Sequence, residues 1–124
     1  MNAKQQLGNQ GEQAVATYLI NQGFTILAKN FRIRDGEIDI IAQKKELALF
    51  VEVKTRHNPL IDPAEVIPRS KQKKIIHTTY IFCAQHNLDL NTVTCRFDVA
   101  LVSFDNNKPL IIYIPDAFQA GEYA

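Results

Sequence analysis

Three runs of strand-like sequence, residues 24–34, 37–42 and 47–55, follow one another with only Arg34-Asp35-Gly36 and Gln43-Lys44-Lys45-Glu46 as breaks. Connections this short join neighbouring strands as hairpins, so a three-stranded meander is expected. The third run has a strongly buried centre in Leu49-Phe50-Val51. Upstream, Leu7, Ala14, Val15, Tyr18 and Leu19 recur at helical spacing, and Gly23 stands where a left-handed cap would end that helix. Downstream of His57 comes an irregular segment with Pro59, Pro63 and Pro68, then a helical stripe of Ile75, Ile76, Thr79, Phe82 and Cys83 across residues 69–86. Two further strands, 93–104 and 109–114, flank an Asp105-Asn106-Asn107-Lys108 turn. The expected order is αβββαββ, an α/β (α+β) domain with a central mixed sheet flanked by helices.

No repeat or linker interrupts the pattern, so residues 1–124 are read as one domain, large enough to bury roughly two thirds of the surface of its unfolded chain. Hydrophobic residues at 46% and charged residues at 22% exclude a disordered or fibrous chain. No apolar stretch approaches the ~20 residues of a membrane span, and the polar first ten residues lack a signal-peptide core, so a cytoplasmic location without a membrane partner is expected. Cys83 and Cys95 lack the spacing of a zinc site and read as buried thiols.

Net charge is only +1, but its distribution is uneven. Between Lys54 and Lys74 stand six basic residues against the two acids Asp62 and Glu65. A local positive zone of this kind attracts a phosphate backbone.

The chemistry is concentrated in the second and third runs. In Glu52-Val53-Lys54, strand alternation sends the acid and the amine to one face about 7 Å apart. By itself such a tripeptide reads as a surface ion pair of small value. Asp39 changes its meaning: it is a charge in the middle of Ile38-Asp39-Ile40-Ile41, with Ile38, Ile40 and Ala42 expected on the opposite face. If the two strands pair, Asp39 reaches the neighbourhood of Glu52, and two carboxylates in partly apolar surroundings repel unless a proton or cation lies between them. A hard divalent ion resolves that conflict, and Mg2+ is the usual choice where a phosphate is also held, with Mn2+ as an alternative. Lys54 would then orient water or neutralise charge growing in the transition state. Glu12 falls on the buried stripe of the first helix, where Gly8 and Gly11 would allow close backbone approach. Three roles are open to it: metal ligand, partner of water or Lys54, or an acid favoured by the helix dipole.

Together, Gly11-Glu12, Asn30-Phe31-Arg32, Gly36-Glu37-Ile38-Asp39-Ile40-Ile41-Ala42, Phe50-Val51-Glu52-Val53-Lys54-Thr55-Arg56, residues 71–75 and Arg96-Phe97-Asp98-Val99 resemble the bacterial YraN-like family of predicted endonucleases. The resemblance spans about residues 8–118. It implies the restriction-endonuclease-like, PD-(D/E)xK fold and similarity to archaeal Holliday-junction resolvases. It also implies Asp39 and Glu52 as metal ligands with the Val53 carbonyl as a third, Lys54 as the catalytic lysine and Glu12 as the helix acid. Ile38 stands where the motif's name has proline.

Among the basic residues, Arg32 and Arg34 are expected on one face of the first strand, with Arg56 continuing the face of Glu52 and Lys54. Lys71, Lys73 and Lys74 crowd the first turns of the second helix, where the dipole disfavours cations and an anionic partner would compensate. Arg32, Arg34, Arg56, Lys71 and Lys73 are accordingly candidates for contact with backbone phosphates, and Lys71 alternatively for support of the site. Three readings are open for Arg96: an internal pair with Asp98, an internal pair with Glu12, or contact with DNA. The histidines carry no spacing that suggests catalysis.

The leading expectation is an Mg2+-dependent endodeoxyribonuclease acting on structured or branched DNA in repair or recombination. The alternative is a non-catalytic nucleic-acid-binding module that keeps the nuclease fold. A homodimer would suit symmetric cutting of a junction, though no exposed apolar helix advertises an interface.

Overall fold

The computed structural model describes residues 2–56 and 67–121. The expected irregular segment with His57, Pro59 and Pro63 falls largely on residues outside that range. Among the described residues, two helices, α1 (Ala3–Asn21) and α2 (Arg69–Gln85), accompany five strands, β1 (Thr25–Ile33), β2 (Gly36–Lys44), β3 (Leu47–Thr55), β4 (Thr94–Asp105) and β5 (Lys108–Phe118). The strands form one sheet in the order β1-β2-β3-β4-β5. All neighbours are antiparallel except β3 and β4, which run parallel. Parallel neighbours need a crossover, and α2 lies between them in the chain. The expected α+β class with a mixed sheet is therefore what the chain adopts. Among the described residues, no helix is long and apolar enough to cross a membrane.

Local chemistry sets the element ends. Asn2 caps α1 by accepting the Gln5 amide at 2.8 Å while the Gln5 side chain accepts the Asn2 amide, a reciprocal box that satisfies two orphan donors. Gly23, at φ +95°, turns the chain away from that helix. The Asn106-Asn107 connection has both residues at positive φ, the geometry that matches the twist of a two-residue hairpin. Arg34 lies in the β1–β2 turn rather than in the strand, so it does not share a strand face with Arg32 as alternation predicted.

The core has two halves, one on each side of the sheet. Val15, Ala16 and Leu19 of α1 pack with Ile40, Ala42, Leu49, Val51, Ala100 and Val102. Ile75, Ile76, Phe82 and Cys83 of α2 pack with Ile38, Ile41, Ala48, Phe50, Phe97, Val99 and Leu101. This double cover explains the unbroken apolar centre of β3: successive side chains enter opposite halves. Burying Phe50 contributes about 2–3 kcal/mol. Its ring meets Phe82 edge to face at 6.1 Å. Cys83 is buried and Cys95 only partly so, with their sulfurs 3.9 Å apart.

One expectation about β2 needs correction. Ile38 belongs to the α2 half and Ile40 to the α1 half, although strict alternation would give them one face. Ile38 and Ile41 share a half at a spacing of three, and so do Ala28 and Phe31 on the paired strand β1. Between the latter two, Asn30 adopts φ +54°. The two strands thus change face together at the level of Asn30 and Asp39.

Gly36 opens β2 hard against α2, where an added Cβ would land on Thr78 Oγ1 and 3.1 Å from the Lys74 carbonyl. Thr78 is fully buried and donates its hydroxyl to that same carbonyl at 2.6 Å, so it has little room to yield. Gly36→Ala is expected to lower stability by about 1–3 kcal/mol, seen as a shift of the denaturant midpoint at unchanged slope.

Candidate active site

The β2–β3 ladder ends at Ile40–Val51. One step further the same register would set Asp39 opposite Glu52. Instead the Val53 amide donates to Asp39 Oδ2 at 2.8 Å, so a side chain takes the place of a ladder acceptor. The strands part there, and a cavity of about 690 Å³ opens between the start of β2, the end of β3 and the first turns of α2. Asp39, Glu52 and Lys71 line it, together with Arg32, Arg34 and Glu37. The carboxyl groups of Asp39 and Glu52 therefore face one cavity.

Glu52 is only 6% exposed. A carboxylate so far removed from water needs opposite charge at close range. Lys71 Nζ donates to its Oε1 at 2.6 Å, and Lys54 Nζ stands 3.4 Å from the same oxygen. Desolvation, then the neighbouring Lys71, pull the Lys54 ammonium below the usual lysine pKa. Burial would lower Lys71 as well, but the hydrogen bond and charge of Glu52 outweigh it and raise Lys71 above its ordinary value. Asp39 moves in the opposite sense to an ion-paired carboxylate. Burial first, and the charge of Glu52 second, push its pKa up to about 7 against the Val53 hydrogen bond.

Glu12 arrives from α1. Gly11 packs against the end of β3, where a Cβ would strike Thr55 Oγ1, whereas Gly8 faces open space. Of the two glycines expected to permit close approach, only Gly11 does so. Burial raises the Glu12 carboxyl, opposed by a hydrogen bond from Asn30 and by the charge of Lys29. With Asn30, Arg32 and Glu37 it borders a second cavity of about 450 Å³. Arg32 and Glu37 line both cavities and pair with each other at 3.2 Å on the surface between them.

The expected residues thus divide. Asp39, Glu52, Lys54 and Lys71 converge; Arg32 and Arg34 form the rim; Glu12 occupies the adjoining cavity. Arg56 is exposed just past the end of β3 and Lys73 is exposed on α2, and neither lines the main cavity. Lys74 does line it. Glu37 has no role assigned from sequence, yet its charge acts on both Asp39 and Glu12. Its position two residues before Asp39 was the available signal, hidden by the neighbouring arginine turn. Asn30 had only a weak signal: Asn tolerates positive φ better than most residues, but nothing local marks it as the place where a strand adopts it.

Among the described residues, no group of three or more His, Cys, Asp or Glu side chains is poised around a metal position. Two acids facing a polar cavity, one with its pKa raised by the other, nevertheless suit a hard cation that keeps several waters of its own, as Mg2+ does. For Val53 the observed contact is through its amide; its carbonyl is implicated by resemblance alone.

The model of the uncharacterised protein family UPF0102 matches residues 11–102, a span that includes every residue of the converging set. A UPF0102 protein of Desulforapulum autotrophicum is 43% identical over 95% of this chain and 97% of its own length. Another, from Chlorobaculum tepidum, is 43% identical over 98% of each chain. The UPF0102 protein YraN of Salmonella arizonae is 39% identical over 91% of this chain and 84% of its own.

Because the folded pKa of Asp39 lies above its unfolded value, the folded chain keeps a proton that the unfolded chain has already lost between about pH 4 and pH 7. In metal-free buffer its contribution to stability should fall as pH rises through that window, by on the order of 2–4 kcal/mol. Denaturant midpoints taken from pH 4.5 to 8 with a chelator present should show this decline for the wild type and a much flatter profile for Asp39→Asn. An identical slope in both would assign the titration to another group.

Proposed function

The chain belongs to the uncharacterised protein family UPF0102, and from the converging acids and amines we propose that it is a metal-dependent endonuclease of the restriction-endonuclease-like, PD-(D/E)xK class. Its substrate is the phosphodiester backbone of structured or branched DNA, as in repair or recombination. The observation that carries this reading is the meeting of Asp39 and Glu52 in one cavity beside Lys54.

Asp39 and Glu52 would hold the ion, Mg2+ or alternatively Mn2+, with the Val53 carbonyl as a third donor by resemblance. When bound, the ion supplies Lewis-acid polarisation of the phosphate and lowers the pKa of a coordinated water. The remaining work falls to the chain. The lowered pKa of Lys54 suits a group that gives a proton or hydrogen bond to charge developing at the phosphate. Arg32 and Arg34 on the rim suit backbone phosphate oxygens, with Arg56 and Lys73 extending the basic surface. Glu12, across the Arg32–Glu37 pair, is the helix acid that bounds the site on the α1 side. Binding of this kind reads backbone and shape, so it should weaken steeply with salt. A homodimer would present two such sites to a junction.

A second reading rests on the 2.6 Å Lys71–Glu52 contact, which already supplies that acid with a cation. A domain that keeps this pair in all states would bind nucleic acid without cutting it.

Labelled junction, flap and linear duplex DNA, incubated with Mg2+ or Mn2+, should be cut by the wild type. Asp39→Asn and Lys54→Ala should each reduce the rate by at least about 100-fold. Cleavage that survives both substitutions would assign the activity to a contaminant, and salt-sensitive binding without cleavage would favour the second reading.

A further inference from the structure

The two lysines on Glu52 are not equivalent. Lys54 lies two residues further along the same strand, so its attachment point stays about 7 Å from that of Glu52. Lys71 comes from another element, the third residue of α2, and its side chain is 40% exposed where that of Lys54 is 27%. Even so, it is Lys71 that makes the short contact, 2.6 Å against 3.4 Å, to the one oxygen both address. The first turn of α2 contains no acid, so the helix end gives a lysine there no support of its own.

Building on the metal-dependent reading, we propose that Lys71 is an internal stand-in for the divalent cation: it neutralises Glu52 while the acid is without metal and releases it when the ion arrives. A divalent ion and an ammonium group on one carboxylate oxygen would be like charges in contact. The group with the greater freedom to leave is Lys71, half-exposed on a long side chain and lining the same cavity as Arg32 and Arg34. Once released, its ammonium remains in that cavity and faces the phosphate. Lys71 is thus a positioning residue with two successive anionic partners, Glu52 before the ion binds and the phosphate after it.

This assigns opposite signs to two measurements on one variant. Calorimetric titration with Mn2+ alone should show Lys71→Gln binding the ion about tenfold more tightly than the wild type, because no ammonium competes for Glu52. Lys71→Arg, which keeps a cation on Glu52, should bind at or below wild-type affinity, and Glu52→Gln should show little binding. With Ca2+ in place of Mg2+, anisotropy on labelled junction DNA should show Lys71→Gln binding DNA more weakly than the wild type. Should Lys71→Gln be unfolded without metal, its Mn2+-driven refolding midpoint multiplied by its folded fraction in metal-free buffer replaces the calorimetric constant, and that product should fall below the Mn2+ dissociation constant of Lys71→Arg. Equal or weaker Mn2+ binding by Lys71→Gln, while the wild type binds normally, overturns the stand-in role and leaves the metal site intact. Tighter Mn2+ binding with unchanged DNA affinity overturns the second half of the role. No Mn2+ binding by any form overturns the metal-dependent reading and this inference with it.

Discussion

The removal of the Glu52 carboxylate from water is the constraint around which the rest of the site is arranged. An acid 6% exposed at the end of a central strand is costly to hold without opposite charge at close range. Two amines are therefore held against it, one from its own strand and one from α2. The parallel β3–β4 pairing makes this possible, because its crossover returns the chain past the C-terminal end of β3 and sets the first turns of α2 beside Glu52.

The second acid is placed by an interruption of the sheet. Had the β2–β3 ladder continued in register, the Val53 amide would have faced Ile38 rather than the Asp39 carboxylate. The positive φ of Asn30, the shared change of face, and the capture of the Val53 amide by Asp39 separate the strands at one level. Local irregularities of this kind recur where a side chain must be aimed away from the regular pleat. The consequence is a half-buried acid open on one side to a polar space.

The other buried acid of the sheet shows what a fully hydrogen-bonded carboxylate looks like. Asp98 is fully buried and accepts two hydrogen bonds from Arg96, one from the Tyr113 hydroxyl and one from the Asp116 amide. Every lone pair has a fixed partner, and the cluster ties β4 to the far end of β5. The pairing expected for Arg96 is accordingly with Asp98 rather than with Glu12. Asp39 accepts one backbone amide and feels three other acids, Glu52, Glu12 and Glu37. The contrast is between a carboxylate saturated by fixed partners and one whose pKa is raised by burial and by neighbouring acids.

From sequence alone, the elements and the class of fold were legible, because hydrophobic period, capping glycine and two-residue turns act over a few residues and leave a local trace. The Glu52-Val53-Lys54 face was legible for the same reason: alternation in a regular strand is a local rule. Arg34, the position of Ile38, and the parts played by Glu37 and Asn30 were not, since each depends on where a strand stops being regular. Nor did the residues themselves say which amine would reach Glu52. Lys71 is 19 residues away in sequence, and only the crossover that lays α2 against the strand ends brings it within 2.6 Å. Sequence determined which charged groups the chain possesses and which face of each regular element they occupy. Tertiary structure decided which of them share a desolvated space, because Coulombic pairing and desolvation depend on distance and burial in three dimensions rather than on separation along the chain.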